Sequence, residues 1–231
     1  CLKILFFTGV NLFNFAFVTI NALLLGLGSL CLGLRSIASA GVLAGWDKGQ
    51  LLIFSSYTFG LFTLIALVLG SIFLAYPLLR KNKKLLFGIT IFLDWIILIY
   101  LAADAFIYPL YSTHLNFAMI QMTFLGGGRI VSFSLPMIFE IAAWILGLGL
   151  LSWLFTFLSF KLATFKKLSL TALVLVFAGF CFSNLCYSWG FANFNTRLVS
   201  VFDKIPLARP LRMNTQLQKL GLIDKKAIDA R

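Results

Sequence analysis

The sequence predicts an all-α membrane protein: a bundle of five transmembrane helices followed by a short interfacial helix in a basic linker. Three observations predict it. Five apolar runs, at residues 11–34, 51–79, 85–101, 135–158 and 168–187, are each long enough to cross a hydrocarbon layer of about 30 Å. Charged residues cluster between those runs: 61% of the 231 residues are hydrophobic and 11% charged, outside the usage of a water-soluble domain. Beyond the fifth run the chain turns basic, with eight Lys or Arg against three Asp from Arg197 onward.

The first run is preceded by apolar sequence from Ile4, so residues 4–10 are expected to form a separate interfacial turn. Cys1 stands in place of a methionine and implies a fragment or a processed product. No polar tether follows it, which makes a lipid-modified amino-terminal cysteine the lesser reading. The apolar stretch continues without a plausible cleavage site, so no signal peptide is expected. Cys1, Cys31, Cys181 and Cys186 lie in or beside apolar runs without CxxC spacing and read as membrane-buried thiols.

The loop after the second run holds Arg80, Lys81, Lys83 and Lys84, and the loop after the fourth holds Lys161, Lys166 and Lys167, with no acid in either. By the positive-inside rule these loops are cytoplasmic. The opposite loops hold Arg35, Asp47 and Lys48, then Asp104, His114 and Arg129. Five crossings therefore leave the amino terminus inside and the tail outside. Positive residues spread over short clusters form no solvated face for nucleic acid, so the formal charge of +12 points to anionic lipid instead.

Asp94 falls near the middle of the third run and Glu140 in the outer part of the fourth. An ionisable group in a bilayer is a functional candidate by default. The alternative is that each bonds a neighbouring helix and pins the bundle. His114 is the only histidine and has no cysteine or acid cluster beside it, so no metal site is expected. Gly126-Gly127-Gly128-Arg129 reads as a flexible loop before it reads as a phosphate cradle. No GxSxG, P-loop, HExxH or Cys/His pair occurs, so the chain is expected to have neither a catalytic residue nor a cofactor.

The fifth run ends at Tyr187, with Trp189 and Asn193 just beyond, and the two rings are expected to anchor the helix exit in the headgroup layer. The tail then offers a second, amphipathic helix. Pro210 suits its start and Gly221 its end, with Met213, Leu217 and Leu220 on one face and Arg212 and Lys219 elsewhere. Arg197, Lys204, Arg209, Arg212 and Lys219 suit a phosphorylated headgroup, or equally an ordinary solvated linker. The domain division is 1–190 for the membrane bundle and 191–231 for the linker.

The stretch from Asp104 through Tyr108-Pro109 and His114 to Asn116, the exit Tyr187-Ser-Trp-Gly-Phe-Ala-Asn-Phe194, and the tail residues Pro206, Leu207, Pro210 and Gly221-Leu-Ile-Asp224 resemble the YejM (PbgA) family. Its members are inner-membrane regulators of Gram-negative bacteria, and the likeness covers essentially the whole chain. It implies five helices and a linker, with a sulfatase-like domain following beyond Arg231. It also implies that the periplasmic linker binds lipid A of lipopolysaccharide, or another anionic phospholipid. The bundle would then contact a membrane adaptor, LapB, and through it control FtsH proteolysis of LpxC. By position, the lipid-contacting turn falls on Arg209, Pro210, Leu211, Arg212, Met213, Asn214, Thr215 and Gln216, with Lys219 beyond. Better-known members carry an Arg-Arg pair followed by Phe where this chain has Asn214, Thr215 and Gln216, so charge here has to come from Arg209 or Arg212. Asp104, His114 and Asn116 are expected to hold the outer loop against the linker. An alternative assigns the chain to the membrane half of a phosphoethanolamine-type headgroup transferase. A transporter working through Asp94 and Glu140 is the weakest reading, since no internal repeat is present.

Overall fold

A computed structural model describes residues 12–75, 82–116, 118, 119, 121 and 134–210. Five long helices fill most of it: α1 (Leu12–Ser39), α2 (Lys48–Ala75), α3 (Lys83–Tyr111), α4 (Leu135–Leu162) and α5 (Lys166–Ala192). A short α6 (Thr196–Phe202) follows. All five long helices are apolar enough and long enough to cross a membrane, so the protein is a multi-pass membrane protein. At about 1.5 Å per residue each is about 40 Å long, which leaves a turn or more beyond the hydrocarbon.

Local chemistry sets the helix ends. α1 closes on Gly41, whose φ of +70° permits the left-handed turn in which the Val42 amide reaches the Ile37 carbonyl at 3.0 Å. α2 opens on a reciprocal cap: Asp47 Oδ1 accepts from the Gln50 amide at 2.8 Å, and Gln50 Oε1 accepts from the Asp47 amide at 3.0 Å. Asn82 caps α3 through the Leu85 amide, and Asn195 caps α6 through the Leu198 amide, each at 3.2 Å. Pro136 sits in the first turn of α4, where its missing N–H costs nothing.

The spans run past the expected boundaries. α3 continues ten residues beyond 101 to Tyr111, so Asp104 lies on a helix and not in a loop. Pro109, two residues before the end of α3, supplies no amide for the Ala105 carbonyl, and the helix stops at Tyr111. Arg35 is likewise helical, one turn before the end of α1. α5 extends to Ala192 and contains both Tyr187 and Trp189. Residues 4–10 and 126–129, and the expected helix 210–221 beyond Pro210, lie outside the described residues.

α1 is the central helix and packs against α2, α3, α4 and α5. Lipid offers the helices no hydrophobic drive to associate, so close backbone approach and buried hydrogen bonds hold them. A Cβ on Gly60 would meet Phe180 Cβ of α5 at 2.6 Å, and one on Gly26 would run into Thr63 and the Phe59 carbonyl of α2. Asp94 accepts from Asn21 Nδ2 at 2.7 Å, and Asn21 Oδ1 accepts from Ser159 at 3.3 Å, joining α3, α1 and α4. Ser152 donates to the Ile91 carbonyl at 2.6 Å, and Trp95 Nε1 donates to the Ile145 carbonyl at 2.8 Å. Asp94 therefore serves the pinning role. Glu140 lies exposed on α4. Among the described residues Cys31 and Cys181 are free and exposed and Cys186 is free and half-buried, on faces that lipid would cover.

Candidate functional site at the tail end of the bundle

The ends of α1, α3 and α5 and the starts of α2 and α4 meet at one end of the bundle, and the tail begins there. Its first residues pack into that end. α5 stops as Phe194 takes a left-handed turn, φ 55°, with the Asn195 amide on the Gly190 carbonyl at 2.8 Å. The turn sends α6 back across the bundle, where it contacts α5 and α2. Val201, Phe202 and Ile205 then join Ile37, Ile53, Phe54, Tyr57 and Tyr187 in one buried apolar cluster. Residues 191–208 are thus part of the bundle's own packing, and a boundary at 190 cuts through that cluster.

Tyr187 illustrates the consequence. It was expected at the headgroup layer, but it is only 7% exposed, with its ring edge-on to Phe202 at 4.8 Å. A ring covered by α6 cannot present itself to headgroups. Trp189 is 48% exposed. Asn193 follows the end of α5, and its side-chain amide donates to the Trp189 carbonyl at 2.9 Å.

Polar contacts complete the attachment. Buried Asp104 takes the His114 ring at 2.8 Å on Oδ2 and the Leu115 amide at 2.7 Å on Oδ1. The other ring nitrogen, Nε2, lies 3.1 Å from the Asp203 carbonyl. A carbonyl only accepts, so Nε2 carries a hydrogen and donates it to the chain just past α6. The imidazole stacks on Tyr108 at 4.7 Å, and Lys204 Nζ lies 5.6 Å from the centre of the Tyr108 ring. Gln50 donates to the Arg197 carbonyl at 3.1 Å, and the Tyr57 ring packs edge-on against Phe202 at 5.0 Å. Helices α2, α3 and α5 thereby reach the first part of the tail through named contacts, and α1 joins them through Ile37 of the buried cluster.

Of the expected site residues, Asp104 and His114 come together and reach the linker. Asn116 does not: its side chain accepts from the Met119 amide at 2.9 Å, a local turn contact. Arg209 is exposed, and among the described residues its guanidinium has no carboxylate partner. With Pro210, Ala208, Asp203, Phe202 and Tyr187 it lines an open depression of about 330 Å³. Leu211, Arg212, Met213, Asn214, Thr215, Gln216 and Lys219 lie outside the described residues. Tyr108, Gln50 and Tyr57 were not read as site residues from the sequence, and no local signal marks them, whereas Lys204 was among the basic residues expected to meet a headgroup and instead lies over the Tyr108 ring. Their partners are distant in the chain.

Beneath the tail, Ser36, Thr58, Asp104, Lys204 and Pro206 help to line a small cavity of about 10 Å³, with room for about one water. Among the described residues the Ser36 and Thr58 hydroxyls there have no protein partner. At this end the arrangement can hold a basic segment rigidly beside the headgroup layer.

A family described as a domain of unknown function, DUF3413, matches residues 11–231. A search of curated proteins returned no match.

Proposed function

The chain belongs to the DUF3413 family, the N-terminal membrane domain of YejM/sulfatase-like proteins, and from that premise we propose that it is the membrane part of a lipopolysaccharide-sensing regulator. A helical domain of this family suits either a membrane regulator or the membrane half of an enzyme. One observation favours the regulator: the segment leading to Arg209 is fastened to the bundle end through Gln50 of α2 and through His114, a ring that Asp104 of α3 holds.

In this reading the tail end faces the periplasm and the Lys-rich end of the bundle faces the cytoplasm of a Gram-negative inner membrane. Arg209 and the residues after it bind a phosphate of lipid A or of another anionic phospholipid. Occupancy changes how the tail sits on α2, α3 and α5. A membrane adaptor of the LapB kind distinguishes the two states, and LpxC proteolysis by FtsH follows. Sensing of this sort requires that the lipid-bound and lipid-free states differ in affinity for the partner.

The test is lipid A binding to the chain in nanodiscs, wild type against Arg209→Ala with Arg212→Ala. A loss of about tenfold or more is expected for removal of two charge-assisted contacts. Equal affinity removes these side chains from the site.

A further inference from the structure

Arg35 is an exposed guanidinium on a membrane-crossing helix, and among the described residues it has no carboxylate partner. Its carbon lies 4.6 Å from the centre of the Phe106 ring on α3 and 4.5 Å from that of Trp144 on α4. The two rings hold the planar group in place while its N–H edges remain available. Arg35 stands four residues before the end of α1, and Phe106 five before the end of α3. At about 1.5 Å per residue both lie about 6–8 Å inside the helix ends, near the edge of the hydrocarbon that a helix of this length crosses.

Glu140 stands one turn from Trp144 on α4, toward the tail end, and on the same face at a spacing of four. It is exposed and, among the described residues, bonds no cation. A positive group and a negative one, each about 6–8 Å inside its helix end, therefore stand at similar depth on α1 and α4. A lone phosphate would satisfy Arg35 but would face an unpaired carboxylate. A phosphate with a tethered ammonium satisfies both.

We infer that Arg35 and Glu140 seat the headgroup of a zwitterionic phospholipid with a primary amine, its phosphate on Arg35 and its ammonium on Glu140. A choline headgroup suits the seat less well. Quaternary ammonium has no N–H for a carboxylate and prefers aromatic faces, and the guanidinium already occupies the faces of Phe106 and Trp144. The site is separate from the Arg209 segment: it involves α1 and α4, and on α3 it uses Phe106.

The experiment is native mass spectrometry of the chain in detergent, offered phosphatidylethanolamine, phosphatidylglycerol or phosphatidylcholine with identical acyl chains. Wild type retains the ethanolamine lipid in preference to the other two. Arg35→Gln lowers that retention about tenfold, as loss of a charge-assisted contact implies. Glu140→Gln keeps a phosphate-dependent adduct but loses the preference for ethanolamine over glycerol. Should Arg35→Gln fold poorly by size exclusion, Glu140→Gln, an exposed change, carries the test alone. Equal retention of the three lipids by wild type, or an unchanged preference in Glu140→Gln, overturns the assignment.

Discussion

His114 Nε2 donates to the Asp203 carbonyl at 3.1 Å, joining two points 89 residues apart in the chain. The same ring is held from behind by Asp104 and stacked on Tyr108. Replacing Asp104 by Ala leaves the His114 ring without its partner and the Leu115 amide without its acceptor, at a cost of about 2 kcal/mol. Hydrogen exchange should then quicken in residues 196–208 while the mid-helix amides of α1 keep their protection. Uniform acceleration in both segments would count against a latch confined to the tail end.

Packing of α2 on α5 depends on the absence of a side chain at Gly60. Gly60→Ala places a methyl against Phe180 Cβ and should cost about 1–3 kcal/mol as the helices move apart. Thermal unfolding in detergent reads the change. Gly147 has open space around it, so Gly147→Ala is the control and should leave the midpoint unchanged or slightly higher.

The Asn21–Asp94 pair separates a structural role from a transport role. Asn21→Leu removes the donor from a buried carboxyl and should destabilise the bundle by about 1–2 kcal/mol, the scale of an interhelical hydrogen bond in lipid. Asp94→Asn keeps a hydrogen-bonding side chain of the same shape and should stay within about 1 kcal/mol of wild type. Proton flux in liposomes that disappears in Asp94→Asn would contradict the pinning role.

α6 is attached through apolar burial as well as polar contacts. Phe202→Ala should cost about 3 kcal/mol, because its ring packs edge-on against both Tyr57 and Tyr187. Limited proteolysis after residue 192 should become faster in that variant. An unchanged cleavage rate would mean that the cluster does not hold the tail.

The amino-acid sequence by itself determined the five crossings and the basic character of the tail. These depend on local properties, above all hydropathy over about 20 residues. Only the tertiary structure decided that α1, whose boundaries were least distinct, is the central helix. In a chain where nearly every side chain is apolar, hydropathy does not separate a face turned to lipid from one turned to protein. The same reason hid the burial of Tyr187. A ring at a helix exit reads as a membrane anchor until another segment covers it, and here α6, only seven residues long and without a strong periodic signal, does so. Asp104 and His114 were legible as a pair worth watching, whereas Lys204, Tyr57 and Arg35 acquire their meaning from partners that only the packing of distant helices brings near.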